Sequence, residues 1–232
     1  MGYGQEVPRS RGYRQYCPMA TALDVVGDRW ALLVVRELLL GSRRFGELAN
    51  GLPGVGTDIL TARLRQLEGA GVVARIGAGR QQRYELTDCG QALRPVLVEL
   101  ARWGSHRLGL PANPQDVSPR VALTSILIDP PAPPTGLRGH FRLTVEEETA
   151  GVRVDDGRIV IDPSPGGDEP STVISLTREG MLGLLVGARA RALARSGDLT
   201  VAGRRNDGLR LVDTVRAPKV LAGLDLASRA HS

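Results

Sequence analysis

The chain has 232 residues, 42% of them apolar, with two cysteines and a formal charge of +5. That length accommodates one large or two small packed domains; Cys17 and Cys89 are too few for a disulfide framework, and the scattered His106, His140 and His231 offer no metal-ligand spacing. The longest apolar run, 30–40, is interrupted by Arg36 and Glu37, and the leading MGYGQEVPRSRGYRQY has no apolar stretch behind its arginines, so the expectation is a cytoplasmic protein with neither membrane span nor secretory signal.

In chain order, TALDVV reads as a short helix, DRWALLVVRELLLG as a longer one stopped by Gly41, and RFGELANGL as a third before the breaker PGVG. A helix follows with Thr57 as N-cap and Gly69 or Gly71 as its stop. VVARIGAGRQQRYELT reads as two strands joined by a glycine-containing turn, and Thr87 caps a long helix to about Leu108. Two proline-rich connectors, 109–119 and 129–136, flank RVALTSILI. Ser118-Pro119 suits a helix start, so 119–128 reads as a short helix, with a strand as the alternative. Beyond it, HFRLTVEEE, GVRVDDGRIVID and STVISLT read as strands, with DDG as a hairpin turn. An apolar helix from Arg178 to Arg195 and a short strand, GDLTVAG, come next, giving an α+β half with an antiparallel sheet.

Charge divides along the same line. Residues 1–110 carry 15 Arg against 10 Asp and Glu, whereas 111–232 balance 15 basic against 15 acidic residues. All the excess lies in the first half, as expected if that half faces nucleic acid and the other has a different task.

The stretch DILTARLRQLEGAGVVAR carries the most specific pattern. On a wheel of about 100° per residue with Leu60 at the origin, Leu64 and Leu67 fall within about 40°, a narrow core stripe. Asp58, Thr61, Ala62, Arg65 and Gln66 fall between about 100° and 240°, on the outward side. Short side chains allow close approach to a DNA major groove, Arg bonds guanine bidentately and Gln bonds adenine. The plain alternative is a solvated helix face. A helix precedes this one across FGELANGLPGVG, and a two-stranded ribbon with Arg75, Arg80 and Arg83 follows. Helix–turn–helix plus basic ribbon is more specific than either part, since the ribbon arginines can reach phosphates.

The residues also resemble a family. Cys17-Pro18, the segment Gly27 to Trp30, Arg44-Phe45 with Glu47-Leu48, the L..RL..LE..G pattern and Y.LT..G..L.P resemble the HxlR-type winged helix–turn–helix transcriptional regulators of bacteria over about residues 17–104. The resemblance implies a DNA-binding homodimer reading a pseudo-palindromic operator, with segments 20–26 and 88–108 forming the interface. The DNA-facing set is then Thr57, Asp58, Thr61, Ala62, Arg65 and Gln66 on the recognition helix, Arg75, Arg80 and Arg83 on the wing, and Arg43 and Arg44 before the third helix. The wing, GAGRQQR, is short and glycine-rich, which leaves its reach into the groove open. Some relatives use a cysteine at the place of Cys17 as a thiol sensor; the other reading is a small apolar residue at a helix entrance. Cys89 reads as structural.

The second half, from Gly139, is similar to sterol-carrier-protein (SCP2-like) domains in its DGR hairpin, in STVISLT leading into an apolar helix, and in ARSGDLTVAG. The similarity implies a sheet covered by helices around an apolar cavity. Met181, Leu184, Leu185, Ala188 and Leu193 would line it, or are plain core. Arg204 and Arg205 in GRRNDG suggest an anion site or an exposed loop.

The expected division is an arm at 1–16, the winged helix–turn–helix domain at 17–110, connectors at 111–136 and an SCP2-like domain at 137–232. Neither a G-x-S-x-G, a P-loop nor a G-x-G-x-x-G after a strand occurs, so an enzyme, a cofactor and a metal are not expected. The expectation is a DNA-binding regulator whose partners are an operator, a second copy and a small hydrophobic effector. The rival is a lipid-carrier-like protein whose helix–turn–helix serves only dimerisation.

Overall fold

The computed structural model of the chain describes residues 12–109, 111, 113–162 and 169–216. It forms two compact units, Met1–Leu97 and Val98–Ser232. The division falls inside a helix rather than at the proline connectors, ahead of the boundary expected at 110. Most of the expected arm, 1–16, and the end of the second domain, 217–232, lie outside the described residues.

The first unit runs α1 (Pro18–Val26), α2 (Ala31–Leu38), α3 (Phe45–Gly51), α4 (Thr57–Gly69), β1 (Val73–Ile76), β2 (Arg83–Leu86) and α5 (Asp88–Gln91) into α6 (Arg94–Ser105). α1 begins earlier than TALDVV suggests, because Pro18 supplies the preset φ of a first helical residue and Cys17 takes the N-cap place. Leu60, Leu64 and Leu67 of α4 are buried with Val34, Leu38 and Leu48, so the core stripe holds α4 on the unit's centre. Arg43 exchanges two backbone hydrogen bonds with Tyr84, its N–H donating at 2.8 Å and its carbonyl accepting at 2.7 Å. They add a rung to the β1–β2 ribbon, whose register pairs Val73 with Leu86 and Ile76 with Arg83.

Thr87 caps as expected, its Oγ1 accepting from the N–H of Gly90 at 3.1 Å. The single long helix after it is a misreading: α5 ends at Gln91 and α6 starts at Arg94. Pro95 has no N–H for the carbonyl of Gln91, and its ring crowds that carbonyl.

The second unit opens with α7 (Pro119–Leu127), capped by Ser118, whose hydroxyl accepts from the N–H of Val121 at 3.5 Å. It continues β3 (Gly139–Val145), β4 (Glu148–Asp155), β5 (Arg158–Asp162), β6 (Thr172–Leu176), α8 (Arg178–Leu185), α9 (Ala190–Ser196), β7 (Leu199–Gly203) and α10 (Arg205–Val215). The sheet order is β5-β4-β3-β6-β7. It is mixed, not antiparallel throughout: β3 and β6 run parallel with Leu143 opposite Ile174. The β3–β4–β5 meander occupies one side of β3, so the chain returns to the starting end before β6 joins the other side. The DDG hairpin is present, with Asp156 and Gly157 both at positive φ between paired Asp155 and Arg158. Arg120 of α7, 6% exposed, donates to Glu148 Oε2 of β4 at 3.3 Å, a partly buried ion pair joining helix to sheet.

The expected helix from 178 to 195 is two helices. Gly187 adopts φ +93°; its N–H donates to the carbonyl of Leu184 at 3.0 Å, and the N–H of Ala188 to that of Gly183 at 2.8 Å. This paired closure ends a helix wherever a glycine supplies the left-handed residue. GRRNDG is not a loop: Arg205 opens α10. Gly208 lets α10 lie close to β7, because an added Cβ would sit 2.6 Å from Val201 Cγ1. No helix among the described residues is long and apolar enough to cross a membrane.

Candidate nucleic-acid interface

Burial of Leu60, Leu64 and Leu67 decides which side of α4 faces out. Thr57, Asp58, Ile59, Ala62 and Arg65 are exposed. Gly56, not Thr57, occupies the N-cap position, and Thr57 is the first helical residue. Its carbonyl accepts from the Thr61 hydroxyl at 2.8 Å, and Thr61 is half-buried. Arg65 makes no hydrogen bond or ion pair among the described residues. Its guanidinium is therefore free to present its donors in the planar pair that matches guanine.

Gln66 is placed differently from the expectation. Its Nε2 donates to the carbonyls of Asp24 at 3.3 Å and Val25 at 3.2 Å, and its Oε1 accepts from Arg63. Arg63 also pairs with Asp28. The Nε2 end of Gln66 thus joins α4 to the end of α1 while its Oε1 is held by Arg63 on α4 itself, so the amide is committed within the fold rather than set toward adenine. The wheel angle placed Gln66 at the flank of the outward face; it could not show that α1 packs there. Ile59 was missed in the same way: it is 48% exposed and offers an apolar surface suited to a thymine methyl.

The three wing arginines separate by partner. Arg75 forms a two-pronged pair with Glu68, Nε to Oε1 at 3.0 Å and Nη2 to Oε2 at 2.7 Å, and stacks 5.5 Å from the centre of the Tyr84 ring. Hydrogen bonding to Glu68 raises its pKa further. Arg83 donates from Nε to Ser42 Oγ at 3.0 Å, and from Nη2 to the Ser42 carbonyl at 2.8 Å and Glu47 Oε2 at 3.4 Å. Both arginines brace the ribbon against α4 and α3. Arg80 stands on the short 3-10 turn Gly79–Gln81, exposed and without a partner among the described residues. Arg44 precedes α3, its backbone N–H donating to Glu47 Oε2 at 2.7 Å, with its side chain exposed; Arg43 is half-buried. Of the arginines expected to face DNA, those exposed and without an ion pair among the described residues are therefore Arg65, Arg80 and Arg44.

Two helices present apolar side chains outward. α1 exposes Met19 and Leu23, and α6 exposes Val96, Leu100 and Trp103, spaced four or three residues apart so that each set lies along one face. The Arg107 guanidinium lies 4.1 Å from the Trp103 ring centre. Cys17 is a half-buried free thiol at the N-cap of α1, and Cys89 is a half-buried free thiol in α5. Among the described residues no three His, Cys, Asp or Glu side chains converge as a metal site would require.

In the second unit, Met181, Leu184 and Leu193 are buried, while Leu185 and Ala188 are half-buried. Met181 and Leu184 are buried residues of α8.

The sequence profile of the HxlR-like helix-turn-helix family matches residues 25–110. An HTH-type transcriptional regulator of Synechocystis sp. is 40% identical over 95 residues, covering 40% of this chain and 70% of that protein. The HTH-type transcriptional regulator YvaP of Bacillus subtilis is 39% identical over 96 residues, covering 40% of this chain and 89% of that one. An HTH-type transcriptional regulator of Mycobacterium tuberculosis is 40% identical, but this chain spans 60% of its length. Among solved structures, the reduced form of the transcriptional regulator YodB from B. subtilis is 30% identical, covering 40% of this chain and 94% of that one at a TM-score of 0.36.

Proposed function

The chain belongs to the HxlR-like helix-turn-helix family, and on that premise we propose that it is a transcriptional regulator that binds specific duplex DNA as a homodimer. The observation that carries this reading is α4. Its core stripe is fully buried while Thr57, Asp58, Ala62 and the unpaired Arg65 face outward, a surface of short side chains around one bidentate donor. Arg80 and Arg44 flank it as phosphate contacts, and Arg75 and Arg83 serve by holding the ribbon in place. The homodimer reading is supported by the apolar faces of α1 and α6, which a second copy would cover. The second unit, with its resemblance to sterol-carrier domains, acts as the ligand-sensing half: a small ligand alters operator affinity by binding DNA-competent and incompetent dimers differently.

The test is retention on nonspecific duplex across a salt series. A DNA-binding protein loses affinity linearly on logarithmic axes as counterions are re-admitted. A carrier whose helix–turn–helix serves only dimerisation shows no such retention at any salt concentration.

A further inference from the structure

An open groove of about 540 Å³ lies in the second unit, lined by Arg191, Ala194 and Arg195 of α9 and by Arg205, Asn206 and Leu209 of α10. From these residues we propose that the groove is a binding site for a small phosphorylated molecule with an apolar body, such as an aryl phosphate monoester. The inference rests on the reading of this unit as ligand-sensing and names the ligand's chemical class.

The charge pattern carries it. Arg191 and Arg195 sit one turn apart on α9, where like charges repel. Neither they nor Arg205 makes an ion pair or hydrogen bond among the described residues. The carboxylates around them are already committed elsewhere. Asp198 accepts from Thr177 Oγ1 at 3.0 Å and from Ser196 Oγ at 2.5 Å. Asp213 accepts from the Ala190 N–H at 2.8 Å, and Asp207 lies 3.7 Å from Arg210. Three guanidinium groups therefore line one concavity with no acidic residue among the described residues of its wall, inside a half of the chain whose formal charges cancel.

A phosphate dianion supplies the missing counter-charge, and planar guanidinium groups bind its oxygens in pairs. Arg205 and Asn206 are also the first two residues of the 11-residue α10, whose leading N–H groups favour an anion. The floor, Ala194 and Leu209, is apolar, and it offers nothing to a bare phosphate but covers an aromatic or short acyl group. That floor, within a concavity, favours a small amphipathic anion over the convex, repeating backbone of DNA.

The test is calorimetric titration of the full chain with 1-naphthyl phosphate, inorganic phosphate and 1-naphthol, without DNA, so that its outcome is separate from that of the DNA-binding reading. The expected result is that 1-naphthyl phosphate binds more tightly than either fragment. Arg191→Ala and Arg205→Ala, both at exposed positions, each weaken it about tenfold with unchanged melting temperature. Equal affinity for 1-naphthol, or affinity indifferent to both substitutions, overturns the proposal. In a separate duplex titration, a loss of nonspecific binding by the same variants also overturns it, because the groove would then be a DNA contact.

Discussion

Arg65 and Gln66 are neighbours on one helix, but Arg65 is exposed while Gln66 bonds to the end of α1. Arg65→Ala removes an unpaired outward guanidinium, so it is expected to leave folding intact, cost about 1–3 kcal/mol on the specific duplex and relax one base position; a binding titration against single-base duplex variants measures both. Gln66→Ala instead strips two carbonyls at the end of α1 of their donor. It is expected to cost about 1 kcal/mol or more in folding stability, read from denaturant unfolding, with base preference unchanged. The wing divides in the same manner. Arg80→Ala is expected to flatten the slope of log K against log salt by about 0.9, the signature of one lost phosphate contact. Arg83→Ala frees Ser42 and Glu47 and is expected to show itself first as lost stability.

At the scale of elements, most of the first unit was legible from periodicity and punctuation. The Leu60/Leu64/Leu67 stripe, the glycine-containing wing turn and the Thr87 cap all follow from local chemistry, and the structure contains each. What the sequence hid was tertiary. The inward use of Gln66 depends on α1, 41 residues away, and the parallel β3–β6 pair depends on which side of β3 the chain re-enters. The helix breaks at 92–93 and 186–189 were in principle readable, since Pro95 and Gly187 mark them, but an unbroken apolar pattern masked both. A pH signature belongs to this scale. Arg178 at the start of α8 clamps Glu146 in the β3–β4 turn, Nε to Oε1 at 2.6 Å and Nη2 to Oε2 at 2.7 Å. The Arg178 hydrogen bonds hold the Glu146 carboxyl below its ordinary value of 4.5. Because the folded-state value is the lower one, the stabilisation is present above the ordinary value and is lost as pH falls through the folded value. Melting curves of Glu146→Gln and the unaltered chain are thus expected to differ at neutral pH and converge in acid.

For the whole molecule, the excess of five positive charges lies entirely within residues 1–110, in the half that carries α4 and the wing. The second half contributes no net charge but concentrates in one groove three arginines that have no partner among the described residues. Under the proposed function the first half meets a polyanion, and under the proposed ligand site the second meets a small anion. The central claim is that α4, presented twice by a homodimer, reads DNA sequence. Selection of duplexes from a random library by the purified full chain tests it most directly. The expected result is enrichment of two related half-sites whose centres lie about 34–36 Å apart, one helical turn, with two chains bound per duplex and the enrichment weakened by Arg65→Ala. Recovery of duplexes with no common sequence, at an affinity that Arg65→Ala leaves unchanged, would contradict it.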